Sequence, residues 1–306
     1  MQIGGEEEDP HLPLASRAGP SSPARAGEGA KGRRSRFSHP LPPSRERVGR
    51  GSSSSYYVPV PLYPILLAVL GAILGSFIAT LVLRWPAGRS LGGRSACDGC
   101  GRRLGPLELI PLASAAALRG RCRTCRVPIA PMHYGVEAAA AAIGALSGWL
   151  SPDAAGVAGA VFGWLLLTLA LLDLKAWWLP DVLTGALAAS GVAAGALGLG
   201  PPLLDRAIGG VAGFVLLWGV GFGYRTVRGR EGMGGGDPKL FGGIGLWLGW
   251  AMLPPVLLVG CLLGLGVAVA ARIGGRIVAR DDALPLGALL AAAAYPAWAL
   301  MIGLAP

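Results

Sequence analysis

Two aspartates that border long apolar stretches are the residues of this sequence best suited to hydrolytic chemistry. Asp173 lies near the end of an apolar run, within L-L-D-L-K, and Asp237 closes the glycine-rich run G-M-G-G-G-D before another apolar segment. An ionisable carboxylate where a chain enters a bilayer is energetically expensive, so each is a candidate functional residue. The alternative is structural, because an acid at a helix start also suits the helix dipole.

The two carboxylates would form an acid–base pair if the fold brought them together. Neighbouring carboxylates cannot both be ionised cheaply, so such a pair shares a proton and titrates as a unit. The ionised member can take a proton from water while the protonated member polarises a peptide carbonyl, as in aspartic proteases. In the competing interpretation each acid caps a helix or pairs with a nearby lysine, Lys175 or Lys239.

Small residues surround the second aspartate. Gly234 and Gly236 flank the approach to Asp237, and glycine permits positive φ angles and close backbone approach. An extended peptide could therefore lie against this loop without meeting a side chain. Lys239, two residues further on, either biases the charge of the carboxylates or anchors the following segment at the membrane interface.

Four cysteines form a second constellation, of a type that binds metal. They occur as two C-x2-C pairs, Cys97 with Cys100 and Cys122 with Cys125, with 21 residues between the pairs. The pattern has the form of a four-cysteine zinc site. Structural zinc is the favoured interpretation, because a loop of roughly 50 residues builds little core of its own. A redox-active or metal-free thiol module is the alternative.

The composition is that of a polytopic membrane protein. Of the 306 residues 53% are hydrophobic and 14% are charged, whereas soluble domains carry roughly a quarter charged residues. The net charge of +10 does not indicate nucleic-acid binding, because the basic residues lie in short loops between apolar segments, where they report topology. The lipid bilayer is therefore an expected partner, and nucleic acid is not.

Apolar segments predict an all-α fold of about eight transmembrane helices. The segments are 62–83, 134–150, 154–174, 182–199, 207–224, 240–253, 256–279 and 287–304. The basic residues of the inter-span loops follow the positive-inside rule if the cysteine-rich segment is cytoplasmic, because the opposite side then receives only Arg206. The exception is the basic N-terminal tail, which would lie outside. This orientation puts Asp173 and Asp237 at the same, cytoplasmic, membrane face.

Four regions follow from these patterns. Residues 1–55 are rich in Pro, Gly, Ser and Arg and are predicted to be a disordered tail; a start codon upstream of the natural one would give the same composition. The first transmembrane helix is expected within 56–83 and a small cytoplasmic cysteine-rich domain within 84–133. A transmembrane domain that carries both aspartates is expected in 134–306.

Taken together, these motifs resemble those of the bacterial prepilin peptidases, also called type IV leader peptidases. The sequence has G-S-F in the first span, R-W-P after it, the two C-x2-C pairs, and H-Y-G-V-E at 133–137. Asp173 with L-P-D at 179–181, and E-G-M-G-G-G-D-P-K-L at 231–240, correspond to the two aspartate motifs of these G-x-G-D proteases. The resemblance runs from about Gly75 to Gly287.

The resemblance implies a membrane aspartic endopeptidase of the bacterial cytoplasmic (inner) membrane. Its substrates would be type IV prepilins or pseudopilins, cut after a glycine at the cytoplasmic face, with Asp173 and Asp237 as the catalytic pair. Members with the cysteine domain usually also methylate the new N-terminus with S-adenosylmethionine. Both aspartates are retained here, whereas two family asparagines are Ala79 and Leu109, and the family's late P-F-G-P is P-L-G-A at 285–288.

Two alternatives stay open at the level of the sequence. One is a peptidase without methyltransferase activity. The other is a non-catalytic membrane scaffold or transporter whose acids lie on an ion path. The transporter predicts carboxylates near the bilayer midplane rather than at one face.

Overall fold

Apolar helices make up most of the chain in the computed structural model, which describes residues 62–93, 96–97, 99–230, 232–275 and 284–304. Its α-helices within these ranges are α1 (Leu62–Arg84), α2 (Ala113–Leu118), α3 (Pro131–Leu150), α4 (Ala154–Ala176), α5 (Asp181–Ala196), α6 (Leu203–Arg228), α7 (Asp237–Leu248), α8 (Leu253–Ile273) and α9 (Leu286–Gly303). Short 3-10 turns lie at Pro106–Leu109 and Trp250–Met252. The predicted tail, 1–55, lies outside the described residues.

The all-α membrane fold is confirmed, but not every predicted span can cross a bilayer unaided. Five helices of the described chain are long and apolar enough: α1, α4, α6, α9, and α8 with the turn before it. α3 is less apolar, α5 has 16 residues and α7 has 12. Twelve helical residues extend about 18 Å, less than the roughly 30 Å of a hydrocarbon core. Length and composition therefore support five spans where about eight were predicted.

α7 can be short because neighbouring helices enclose it. Ten of its twelve residues are buried. Trp247 stacks on Phe162 of α4 with ring centroids 4.8 Å apart and donates its indole N–H to the Leu187 carbonyl of α5 at 2.9 Å. A Cβ on Gly245 would lie 2.2 Å from the carbonyl oxygen of Gly209 in α6, so these two backbones touch as small residues allow. Asp237, the first residue of α7, is thus held within protein.

Arg206 does not lie in a loop on the outer side, as the sequence predicts. It belongs to α6, is 1% exposed, and donates to the backbone carbonyl oxygens of Gly191 (3.0 Å), Leu246 (3.0 Å), Pro201 (2.9 Å) and Leu199. Several of these carbonyls lie towards the C-terminal ends of α5 and α7, where the helix dipole favours a cation. Arg206 therefore joins helices in the interior and is not one of the loop charges that set orientation.

Alternating helix directions gather several helix ends at the side of the cysteine-rich segment. α1 enters this segment and α3 leaves it. α4 ends at the same side, and α5, α7 and α9 begin there, because successive apolar helices run in opposite directions. The last turn of α4 and the first turns of α7 and α9 are therefore neighbours.

Candidate active site

Asp173 and Asp237 lie at neighbouring helix ends, and both are buried. Asp173 is in the last turn of α4 and Asp237 begins α7, and they are only 6% and 7% exposed. Trp177 ends α4 in a left-handed conformation (φ 54°), and its N–H returns to the Asp173 carbonyl at 2.9 Å. Polar groups enclosed to this degree need hydrogen-bond partners.

The first turn of α9 supplies those partners. The backbone N–H of Ala288 donates to Asp173 Oδ2 at 2.8 Å, and the N–H of Gly287 interacts with both carboxylates. Asp237 also receives the N–H of Gly234. Free N–H groups at a helix N-terminus attract anions, so α9 brings the two acids to one point. The carboxylates are close enough to repel each other, and a shared proton relieves that repulsion.

The glycines predicted to leave room beside Asp237 have different neighbours. Gly234 is adjacent to the acid itself, since a Cβ there would lie 3.4 Å from Asp237 Oδ2. Gly236 is covered by Leu179 of the α4–α5 connection, whose Cβ would be 2.6 Å from a Cβ on that glycine. Leu179 therefore lies where the sequence suggests an open approach to the carboxylates.

Lys239 is paired with an acid of another helix. Its Nζ lies 2.6 Å from Oδ1 of Asp181, the first residue of α5, and the two side chains are 45% and 75% exposed. The ion pair connects the N-terminal turns of α5 and α7. The positive charge of Lys239 is therefore matched by Asp181 beside the carboxylate pair.

The four cysteines are arranged to hold a metal ion, as predicted. The sulfur atoms of Cys97, Cys100, Cys122 and Cys125 all lie within 4.8 Å of one another, and Cys97 Sγ is 3.6 Å from Cys125 Sγ. An ion with tetrahedral metal–sulfur bonds of about 2.3 Å separates its ligand sulfurs by about 3.8 Å. The cluster therefore has nearly the dimensions of a four-thiolate site.

Each C-x2-C pair lies in a tight turn closed by its own backbone. The N–H of Cys97 bonds to the Arg102 carbonyl and the N–H of Cys122 bonds to the Val127 carbonyl, both at 2.9 Å. In both turns the residue after the second cysteine has a left-handed backbone, with φ of 67° and 59°. The two turns thus present their sulfurs by the same local geometry.

The Cys122 thiol is prepared for metal binding by its surroundings. The backbone N–H groups of Cys125 and Thr124 bond to its sulfur and lower the pKa of this thiol to about 6. The thiolate is the form that ligates metal. The turn therefore favours the thiolate at Cys122, whereas burial and the neighbouring cysteines raise the pKa of the Cys125 thiol.

The cysteine-rich segment is anchored on α3. Glu137 of α3, 6% exposed, accepts the backbone N–H of Leu112 at 2.9 Å. The Tyr134 ring lies against Gly120, where a Cβ would be 3.4 Å from Tyr134 Cε2. These contacts fix the segment above the end of the helix bundle that carries the acids.

A cleft with an aromatic wall opens one helical turn beyond Asp173. It has a volume of about 530 Å³ and is lined by Trp85, Pro86, Gly88, Ala176 and Trp178. The rings of Trp85 and Trp178 meet edge to face, with centroids 5.1 Å apart and planes at 76°. Small-molecule pockets have volumes of about 300–1,000 Å³, so the cleft is large enough for such a ligand.

Three residues complete the carboxylate site without having been predicted: Leu179, Gly287 and Ala288. They belong to the runs L-P-D and P-L-G-A, whose residue types indicate a family resemblance but no individual role. Ala288 and Gly287 act through their backbone N–H groups, which leave no residue-type signature. The bond from Ala288 to Asp173 also joins positions 115 residues apart, so no local spacing could reveal it.

Comparison with known proteins gives matches over most of the membrane portion. Residues 160–269 match the Type IV leader peptidase family, and residues 69–150 match the Bacterial Peptidase A24 N-terminal domain. The first range contains both aspartates, and the second contains the four cysteines.

The chain is also similar to bacterial proteins named prepilin leader peptidase/N-methyltransferase. The relative from Burkholderia pseudomallei is 35% identical over 252 residues, which cover 73% of this chain and 81% of the relative. The relative from Aeromonas hydrophila is 37% identical over 207 residues, 66% of this chain and 70% of its own. The relative from Pseudomonas aeruginosa is 34% identical over 269 residues, 78% and 91% respectively. No solved structure matches the chain.

Proposed function

The chain belongs to the type IV leader peptidase family, and from this membership we propose that it is a membrane aspartic endopeptidase that removes the leader peptide of type IV prepilins or pseudopilins. The observation that carries the proposal is the meeting of Asp173 and Asp237 at the N–H of Gly287. We assign the catalytic roles to these two residues. Gly234, Gly236 and Lys239 belong to the loop and helix turn that position Asp237.

The carboxylate pair would hydrolyse a peptide with one member ionised and the other protonated. The ionised carboxylate accepts a proton from water as the water oxygen bonds to the scissile carbonyl carbon, and the protonated member donates its proton to the carbonyl oxygen. When the resulting diol collapses, the C–N bond breaks, the first acid protonates the leaving amine, and the second regains a proton from a diol hydroxyl. The N–H groups of Gly287 and Ala288 stabilise a carboxylate in place throughout.

The positions of the acids support cleavage at a membrane face. Both lie at helix ends, whereas a transporter with acids on an ion path requires them near the bilayer midplane. Basic residues at the same end, among them Arg84, Lys175 and Arg228, favour the cytoplasmic face of the inner membrane by the positive-inside rule. We therefore propose that the cut, after a glycine, is made at that face.

The ion held by the four cysteines is proposed to be a structural zinc. Four thiolates complete a tetrahedral coordination shell and leave no position for water or substrate, which is typical of structural zinc sites. The ion would join two turns that are otherwise closed only by their own backbones. A segment of roughly 50 residues gains much of its order from such a link.

We also propose that the product is methylated at its new N-terminus with S-adenosylmethionine, in keeping with the names of the relatives. The donor supplies the methyl group of its sulfonium centre. The cleft that Trp85 and Trp178 help to line is the candidate site, because aromatic rings attract cations and stack on nucleobases. It also begins one turn from Asp173, near the place where cleavage releases the amine.

Binding measurements test this cleft independently of catalysis. Trp178→Ala should weaken binding of radiolabelled S-adenosylmethionine about tenfold, within the range for loss of one stacking partner. Trp177→Ala is the matched control, because this neighbour is 58% exposed and does not line the cleft. Equal affinities in the two variants would exclude the cleft as the donor site.

One incubation tests the main proposal. The purified protein in lipid is mixed with a prepilin and labelled S-adenosylmethionine, and mass spectrometry identifies the product. We expect the leader to be removed after a glycine and the new N-terminus to gain a methyl group. Cleavage that persists unchanged in Asp173→Asn would contradict the assigned catalytic pair. Cleavage without methylation would show that the protein has peptidase activity but no methyltransferase activity.

A further inference from the structure

We propose that Leu179 forms the wall of the subsite for the residue that precedes the scissile bond and thereby excludes any side chain larger than hydrogen from that position. The inference rests on the proposed peptidase function and names the residue that sets its selectivity. Leu179 lies in the four-residue connection, 177–180, from the end of α4 to the start of α5. Its side chain lies beside Gly236, which precedes Asp237, and beside Gly287 in the first turn of α9.

The contacts of Leu179 place its side chain directly beside the acids. Its Cβ would be 2.6 Å, and its Cδ1 3.1 Å, from a Cβ added to Gly236, the residue before Asp237. Its Cδ1 would be 2.9 Å from a Cβ added to Gly287, and the same point lies 3.0 Å from Asp173 Oδ2. Leu179 and a carboxylate oxygen thus flank one small space next to the Gly287 backbone.

The connection that carries Leu179 is held on both sides. Pro180, with φ −64°, is buried and accepts the N–H of Thr184 at 3.1 Å. Asp181 pairs with Lys239 at 2.6 Å. Leu179 itself packs against the main hydrophobic core. A side chain fixed in this way cannot move aside at low cost for a bulkier substrate, because packed interiors yield little.

The residue before the scissile bond is the one that this wall restricts most. Its Cα is bonded directly to the carbonyl carbon, about 1.5 Å away, and the carboxylates must reach that carbon and its oxygen. The Cα of the following residue is separated from the same carbon by the nitrogen. A side chain on the preceding residue therefore stands next to the acids, in the space that Leu179 fills.

Selectivity, rather than activity, is the quantity to measure. Substrate peptides with glycine, alanine or serine before the scissile bond are cleaved by the wild-type protein and by Leu179→Ala, and kcat/KM is compared. One methyl group in a tight pocket is worth about 10–200-fold. We expect Leu179→Ala to reduce the preference for glycine over alanine about tenfold or more relative to wild type. The preference of Leu179→Val should lie between those of wild type and Leu179→Ala.

Matched variants distinguish a specific effect on glycine selectivity from a general loss of stability or activity. Val182→Ala removes an exposed apolar side chain three residues away (73% exposed) and should leave the glycine preference unchanged. Leu179→Met keeps the volume and should also keep the preference, which provides a test if Leu179→Ala does not fold. Losing activity on all three peptides equally in Leu179→Ala and Leu179→Val would overturn the inference while leaving the peptidase proposal intact. A wild-type protein that cleaves none of the peptides would overturn the proposed function, and the inference with it.

Discussion

The tetracysteine cluster and the carboxylate pair lie at the same end of the molecule but are assembled in opposite ways. Each half of the cysteine cluster is a tight turn with its own backbone hydrogen bonds, and the two halves are close in sequence. The carboxylate pair takes Asp173 from α4, Asp237 from α7 and its N–H donors from α9. Local turns fix the first site, whereas the packing of distant helices fixes the second.

Because the two sites are assembled differently, mutations in them should disturb the structure to different extents. Damage to the cysteine cluster should remain within its own segment, because that segment is attached to the helix bundle through a few contacts such as Glu137 with Leu112. Damage to any of three helix ends should disturb the carboxylate pair, because none of them supplies a complete site alone. Four changes, ordered by expected effect on peptide cleavage, test the contrast.

Removing either carboxylate of the proposed catalytic pair should have the largest effect. Asp173→Asn and Asp237→Asn are each expected to lower kcat/KM for a prepilin by about 10³-fold or more, at the upper range for acid–base catalysis. The double variant should be no worse than either single one, because the two groups act as a unit. Asp205→Asn, at the far end of α6, is the control. Additive losses would show that the acids act separately.

Adding one methyl group beside Asp173, at Gly287, should have the next largest effect. In Gly287→Ala the new Cβ would lie 3.0 Å from Asp173 Oδ2 and 2.9 Å from Leu179 Cδ1, so the carboxylate must shift. A displacement of about 1 Å can cost about 10²-fold in rate. Gly303→Ala in the same helix is the control, since its Cβ meets only Leu150 Cδ2 at an ordinary 3.6 Å. Unchanged cleavage in Gly287→Ala would mean that α9 does not position the acids.

Breaking the metal site should have a smaller effect on cleavage. Cys97→Ser is expected to abolish binding of one zinc ion per chain and to expose the cysteine-rich segment to proteolysis. The value of kcat/KM should fall less than about tenfold, because the acids are positioned by α4, α7 and α9, none of which carries a cysteine of the cluster. Elemental analysis and limited proteolysis measure the first two outcomes. Cys261→Ser, in the exposed face of α8, is the control. A loss of cleavage as large as in Asp173→Asn would remove the contrast between the two regions.

Breaking the ion pair beside the acids should have the smallest effect. Lys239→Met or Asp181→Asn removes a bridge between two largely exposed side chains, and such bridges are worth about 0–1 kcal/mol. Cleavage should therefore change by less than about fivefold, with weak dependence on salt. A loss above about 10²-fold in Lys239→Met, but not in Asp181→Asn, would assign Lys239 a direct role at the carboxylates.

Prediction from the sequence succeeded where the signal is local. The C-x2-C spacing identified all four members of the metal-binding cluster, because each turn is encoded within a few residues. The apolar segments coincide with α1 and α3–α9 because helix formation follows local hydrophobicity. The number of spans was overestimated in part because α7 is buried by neighbouring helices. An apolar run of 12 residues looks the same in the sequence whether protein or lipid surrounds it. Arg206 was assigned to a loop for a related reason, since its carbonyl partners lie in α5, in α7 and in the connection between α5 and α6.

Local sequence was enough to identify the residue types: two acids beside apolar helices, a glycine-rich approach to one of them, and four thiols at metal-binding spacing. The packing of α4, α7 and α9 was needed to put the N–H of Gly287 beside both acids and Leu179 in the space next to them. Backbone N–H groups are common to nearly all residues and become specific donors only where a helix begins at the right place. That place is fixed by packing among helices far apart in the chain.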